Sequence, residues 1–291
     1  MAQRVYLNGE FVERDAAHLD IYDHGFLYGD GVFEGIRVYD GRVFRLDEHV
    51  TRLYRSSQAL AIQVGLTPDA MREAILETCR RNNHQTGYIR VSVSRGTGLG
   101  LDPAHIEERA TVVISTEQLS LYPQTMYDEG LNVVTASTRV PPSCCIDPQI
   151  KSLGRYVNNI NAKMEANRCG AGEALMLNMA GNVAEASGDN LFLVQSGHLV
   201  TPPTSEGALP GITRSTVIAC AREMGIPVHE AVVTLYDCYN ADEALLTGTA
   251  AEVIPMVRLD GRVIGSGKPG PVTQRLTEAF RARTRIDGAA I

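Results

Sequence analysis

"EASGDNLFLVQSGHLVTPPTSEGALPGITR", residues 185–214, carries two kinds of instruction in thirty positions. The runs "NLFLV" and "HLVTP" are rich in β-branched and aromatic residues and are parted by the turn "QSGH", so they read as short strands. The Pro210-Gly211 turn then delivers the chain into a helix starting at Ile212-Thr213. A helix N-terminus offers unpaired N–H groups and a positive dipole end to an anion. Glu185 lies in the strand "NVAEAS" among small or apolar neighbours, so its carboxylate is expected out of water. It then needs a donor or a cation. A distant arginine satisfies that need, and so does a cofactor with a protonated ring nitrogen.

Outward from this stretch, "LLTGTAAEVIP" ends a strand in a small-residue turn, where Gly248, Thr249 and Ala250 can bring backbone N–H groups close to a ligand. In the other direction lies Lys151, one of only three lysines in a chain of 291 residues with 27 basic ones. It comes after "PPSCCIDPQI", whose prolines deny regular structure, and it precedes a helix expected over about 153–168. A lysine on such a rigid loop can be desolvated and serve as a Schiff-base nucleophile, although most lysines are solvated surface groups.

The formal net charge of -7 and a pI near 5.5 argue against nucleic acid or an anionic membrane and for small-molecule ligands. The six cysteines are scattered without zinc-ligand spacing, no metal site is expected, and a reduced cytoplasm fits them best. The N-terminus lacks the apolar run of a signal peptide, and no stretch approaches a membrane span.

Hairpins are expected at Asn8-Gly9 and Asp40-Gly41. Helices are expected over about 47–61, about 68–82 with Thr67 as N-cap, about 212–224 and about 270–284. The strands "YIRVSVSRG" and "RATVVISTE" complete a first unit. The class is α+β in two domains: a small N-terminal one over 1–117, a linker over 118–130 that shows neither period, and a large one over 131–291 carrying Lys151. "GTGLG" at 96–100 leads into no helix and is discounted as a dinucleotide fingerprint.

Taken together, Glu185, Asn190, Leu191, Phe192, Thr201 and "LPGITR" (209–214) resemble the signature of the fold-type IV, pyridoxal-phosphate-dependent aminotransferases of the D-amino acid aminotransferase-like fold, and among them the branched-chain amino acid aminotransferases. The resemblance runs from "YLNGEFV" to about "GPVTQRLTEAF", nearly the whole chain. It implies pyridoxal 5′-phosphate in a cleft between the domains. It also implies that Lys151 is the lysine joined to the cofactor, and that Glu185 keeps the pyridine nitrogen protonated. Tyr156 would bond O3′, Leu209 would cover a ring face, and Arg52, Ile212, Thr213 and Thr249 would hold the phosphate.

For the substrate, the resemblance points to Tyr88 and Arg90, which strand alternation turns to one face, and to Ala250 in carboxylate recognition. Tyr28, Phe33 and Gly35 of "LYGDGVFEGIR" would form an apolar slot. Arg95 is a departure that could add a second cation there. The implied reaction is reversible transamination of L-leucine, L-isoleucine and L-valine with 2-oxoglutarate by a cytoplasmic homodimer or higher homo-oligomer. A D-amino acid aminotransferase or (R)-amine transaminase is the alternative within the fold.

Overall fold

A computed structural model describes residues 3–106, 109–119 and 121–291. The chain divides into two compact units, one of Met1–Leu119, Ile150–Arg155 and Thr284–Ile291, the other of Ser120–Gln149 and Tyr156–Arg283.

The first unit opens with strands β1 (Arg4–Leu7) and β2 (Glu10–Glu13). They turn at Asn8 and Gly9, whose φ values of 52° and 103° are the two left-handed conformations a type I′ hairpin needs. Helix α1 (His24–Tyr28) is capped by Asp23, whose carboxylate accepts the Gly25 and Phe26 N–H groups. Next come β3 (Gly31–Tyr39), β4 (Arg42–Val43), α2 (Leu46–Ala59), α3 (Pro68–Arg81), β5 (Gly87–Ser94) and β6 (Thr111–Glu117). Thr67 caps α3 as its sequence predicts, accepting the Ala70 N–H at 3.2 Å. The sheet runs in the order Ala289–Ala290, β4, β3, β5, β6, β1, β2.

Antiparallel pairing sets Val32 opposite Val93, Glu34 opposite Val91 and Ile36 opposite Ile89. This row belongs to one buried cluster with Leu46, Val50 and Leu53 of α2 and Met71 and Ile75 of α3. Each such apolar side chain contributes about 1.5–3 kcal/mol by leaving water. Glu34 is the one carboxylate in the row. The alternate face carries Phe33, Gly35 and Arg37 beside Ser92, Arg90 and Tyr88.

Residues 150–155 dock on the edge of β3. Phe33 donates its N–H to the Lys151 carbonyl at 3.0 Å, and Leu153 donates to the Gly31 carbonyl at 2.8 Å, with Val32 and Ser152 bridged antiparallel. These bonds satisfy backbone groups that β3 leaves open there. They also place the lysine segment with the first unit, whereas the sequence alone sets it in the second and begins the next helix at about 153.

The second unit contains α4 (Gln124–Glu129), β7 (Leu131–Thr135), α5 (Tyr156–Arg168), β8 (Glu173–Leu177), β9 (Val183–Ala186), β10 (Asn190–Gln195), β11 (His198–Thr201), α6 (Ile212–Glu223), β12 (Val228–Glu230), α7 (Leu235–Tyr239), β13 (Glu243–Gly248), β14 (Glu252–Leu259), β15 (Arg262–Val263) and α8 (Pro271–Thr284). Its sheet runs β12, β11, β10, β13, β14, β7, β8, β9, with β15 on β14. The expected linker thus holds the short helix α4. Ala162 and Ala166 of α5 pack with Ala174 and Met176 of β8, small residues that allow helix and sheet to approach closely. No helix among the described residues is long and apolar enough to cross a membrane.

Candidate active site

In the first unit the ring of Phe33 is a meeting point. The Lys151 Nζ lies 4.7 Å from its centroid, and the Arg90 guanidinium lies 3.6 Å from it. Two cations therefore lie against one aromatic ring, whose quadrupole attracts each of them. The Lys151 main chain is fixed on both sides, because its N–H donates to Ser56 Oγ at 3.2 Å while its carbonyl is held by Phe33. Tyr88 lies across Gly35. A Cβ built on Gly35 would stand 1.8 Å from the Tyr88 hydroxyl, so only glycine admits that phenol.

Arg52, from α2, is 8% exposed and forms a fork with Glu34: Nε to Oε1 at 2.7 Å and Nη2 to Oε2 at 2.8 Å. His49 Nδ1 lies 2.7 Å from Glu34 Oε2. Burial pushes the Glu34 carboxyl up, but the Arg52 charge and then His49 outweigh it and hold it far below the usual carboxylate range. Burial pushes His49 down, helped by the charges of Arg52 and Lys151 and opposed by Glu34. His49 is therefore neutral and donates to Glu34. His49, Arg52 and Ser56 recur at helical spacing and form a buried polar stripe on α2. Sequence reasoning finds Arg52 and misses the others, although that spacing and a Glu inside an apolar strand are visible signals.

Arg95 does not supply a spare cation. Its guanidinium is forked onto Asp30 at 2.6 and 3.1 Å and also donates to the carbonyls of Leu60 and Ala61. Tyr28, on α1, is 44% exposed and meets His24 edge-on.

In the second unit Glu185 is buried on β9, and its Oε2 accepts the Leu209 N–H at 2.8 Å. The Leu209 carbonyl accepts from Asn190 Nδ2 at 3.0 Å, so both backbone groups of Leu209 are clamped. Gly211 is the N-cap of α6 and supplies no side-chain acceptor. A Cβ there would meet Asn190 Oδ1 at 2.0 Å. Ile212 and Thr213 come next, both buried. At the end of β13, a Cβ on Gly248 would meet Asp189 Oδ1 at 1.9 Å, and Thr247 Oγ1 is buried with no partner among the described residues. Thr249 and Ala250 are half-buried in that turn, and Tyr156, half-buried, heads α5.

The structure thus gathers Phe33, Gly35, Tyr88, Arg90, Arg52 and Lys151 in one unit, and Glu185, Leu209, Ile212 and Thr213 in the other. Their donor chemistry fits a phosphorylated pyridine aldehyde: a primary amine, a buried carboxylate, an arginine, and an uncapped helix N-terminus that glycine leaves open. Among the described residues no group of three or more His, Cys, Asp or Glu could hold a metal ion.

The model of the amino-transferase class IV family matches residues 31–259. A protein of Methanocaldococcus jannaschii, provisionally named a branched-chain-amino-acid aminotransferase, is 46% identical over 279 residues, covering 96% of this chain and 95% of that one. The branched-chain-amino-acid aminotransferase of Salmonella typhimurium is 36% identical over 96% of this chain and 92% of its own. Among solved structures, a "T.th." branched-chain amino acid aminotransferase with pyridoxamine 5′-phosphate superposes with a TM-score of 0.93 at 38% identity, covering 98% of this chain and 94% of that chain. The Escherichia coli enzyme gives 0.92 at 34%, covering 97% and 94%. The chain therefore belongs to the class IV aminotransferases and, within them, to the pyridoxal-phosphate-dependent branched-chain-amino-acid transaminases.

Proposed function

We propose that the chain reversibly transfers the amino group of L-leucine, L-isoleucine and L-valine to 2-oxoglutarate, as a cytoplasmic homodimer or a larger homo-oligomer. The observation that carries the substrate reading is the Phe33 ring shared by the Lys151 amine and the Arg90 guanidinium. On this reading the Lys151 amine is the reactive nitrogen, the ring is the apolar surface beside it, and the guanidinium is the group that receives carboxylate.

When bound, the cofactor supplies an electrophilic aldehyde and an electron-withdrawing ring. Lys151 would hold it through Nζ, and the same nitrogen would serve as the base that takes and returns the substrate proton. Glu185 would keep the pyridine nitrogen protonated, Tyr156 would donate to O3′, and Leu209 would pack on the ring. Arg52, the N–H groups of Ile212 and Thr213, and Thr249 would hold the phosphate. Tyr88 and Arg90, with the Ala250 N–H, bind carboxylate. Phe33 and Gly35, with Tyr28, shape the side-chain slot.

Exposed apolar surface supports self-association. Val157, Ile160 and Met164 form a solvent-facing stripe on α5, and Ile21, Phe26, Leu99 and Leu101 are each more than two-thirds exposed.

The test is the absorbance of the cofactor-loaded protein on adding L-isoleucine or D-isoleucine without an oxo acid. Conversion of bound pyridoxal to pyridoxamine phosphate by the L-isomer alone supports the reading. Conversion by the D-isomer alone refutes it in favour of a D-amino acid aminotransferase.

A further inference from the structure

We propose that Glu34, braced by His49, is the positioning residue that holds the Arg52 guanidinium in the orientation that receives the cofactor phosphate. The inference rests on the phosphate-binding role given to Arg52 above and concerns two residues to which that reading gives no task.

Glu34 is costly where it stands. It sits in the β3 row that packs on α2, 1% exposed, with Val32 and Ile36 as its neighbours on that face. An apolar residue there would extend the cluster, and an ionised carboxylate needs strong compensation. The compensation is the two-point fork with Arg52, which fixes the plane of the guanidinium as well as its place. His49 takes the second lone pair of Oε2 and stops the carboxylate from turning about its own axis.

Charge alone gives the opposite expectation for phosphate. The anion of Glu34 cancels the cation of Arg52, so it lowers the attraction that Arg52 exerts on a phosphate dianion. A carboxylate kept in direct contact with an anion-binding arginine serves the ligand by aiming the arginine. The stripe carries the same order one turn further, where Ser56 accepts the Lys151 N–H. One face of α2 thereby registers the arginine and the lysine backbone against β3.

The two explanations predict opposite signs. The full chain, freed of cofactor, is titrated with pyridoxal 5′-phosphate and with pyridoxal, which lacks the phosphate. Positioning predicts that Glu34→Gln weakens binding of pyridoxal 5′-phosphate by about tenfold or more while pyridoxal changes less than about twofold, since a lost charge-assisted fork acts only through the phosphate. Glu34→Asp keeps the charge pair, so it folds even if the glutamine variant does not, and its shorter reach withdraws the fork and gives a smaller loss in the same ratio. Arg52→Ala weakens only the phosphorylated ligand, and adding Glu34→Asp to it costs nothing more.

Unchanged or tighter binding of pyridoxal 5′-phosphate by the Glu34 variants overturns the inference, as does equal loss of both ligands. If Arg52→Ala loses phosphate discrimination and Glu34→Asp keeps it, the inference alone fails. If Arg52→Ala keeps it, the assigned role of Arg52 fails as well.

Discussion

Replacing Gly35 by alanine tests whether the phenol of Tyr88 is held in place by the absence of a side chain. The added Cβ would stand 1.8 Å from the Tyr88 hydroxyl, 2.5 Å from Cζ and 2.9 Å from Cε2. The first contact must open by about 1.6 Å before reaching 3.4 Å, where ordinary contact begins. The intruding atoms belong to a stiff ring, and the backbone of β3 is locked to β5 opposite Arg90. The ring must therefore tilt or leave its rotamer, and overpacking of this kind costs about 1–3 kcal/mol. For a chain of this size that lowers Tm by roughly 2–4 °C per kcal/mol.

If Tyr88 donates to the substrate carboxylate, its displacement removes a charge-assisted hydrogen bond of about 1.5–3 kcal/mol. KM for amino acid and oxo acid alike then rises roughly ten- to a hundredfold, with kcat changed less. Thermal unfolding and steady-state transamination with L-leucine and 2-oxoglutarate read the two effects separately. Gly35→Ala combined with Tyr88→Leu should regain the stability and leave KM raised. A Gly35→Ala protein with wild-type Tm and KM refutes the steric argument, and a double variant no more stable than the single one shows that the clash lies elsewhere.

Lys151→Ala should retain phosphate-anchored cofactor and lose more than about 10³-fold in amino transfer, measured as single-turnover conversion with L-leucine; wild-type turnover removes Lys151 from the mechanism. Arg90→Ala should slow the 2-oxoglutarate half-reaction more than the leucine one, and equal losses would assign Arg90 to the shared α-carboxylate or to structure. Glu165 concerns acid stability. Burial raises its carboxyl, but donation from the Thr138 hydroxyl and from the Ser137 and Thr138 N–H groups outweighs it and holds the folded value at about 2, against 4.5 for the free group. A depressed folded value stabilises fully above pH 4.5 and is lost as pH falls toward 2. Partial exposure screens this to about 1 kcal/mol. The stability gap between wild type and Glu165→Gln in urea melts should therefore shrink from pH 6 to pH 3, and a constant gap would contradict the assignment.

Local instructions are legible where they close locally. Asn8-Gly9 announces its hairpin, Thr67 announces α3, and Pro210-Gly211 announces α6, because each acts within four residues. The helix α4 hides in the expected linker because six residues are too few to show a period. Arg95 looks available in the sequence because its partner Asp30 lies 65 residues away. Glu34 and His49 escape notice for the same reason: a strand and a helix must fold together before their side chains form one network with Arg52.

The lysine segment shows most sharply what a linear reading lacks. Residues 150–155 precede a helix and contain no strand pattern, so continuity assigns them to the same unit as that helix. Their backbone instead pairs with β3, about 120 positions earlier, where Gly31 and Phe33 have groups to share. This pairing suits the chemistry. A tight turn, closed by the Ser152 N–H on the Ile150 carbonyl and bonded to the edge of β3, fixes the Lys151 carbonyl and N–H by hydrogen bonds on either side, so the main chain of the proposed cofactor lysine is held independently of its side chain. One turn later, inside α5, the same lysine would have lain against the preceding turn of helix, as side chains there do, and its amine would have been carried along the helix surface instead of over the Phe33 ring.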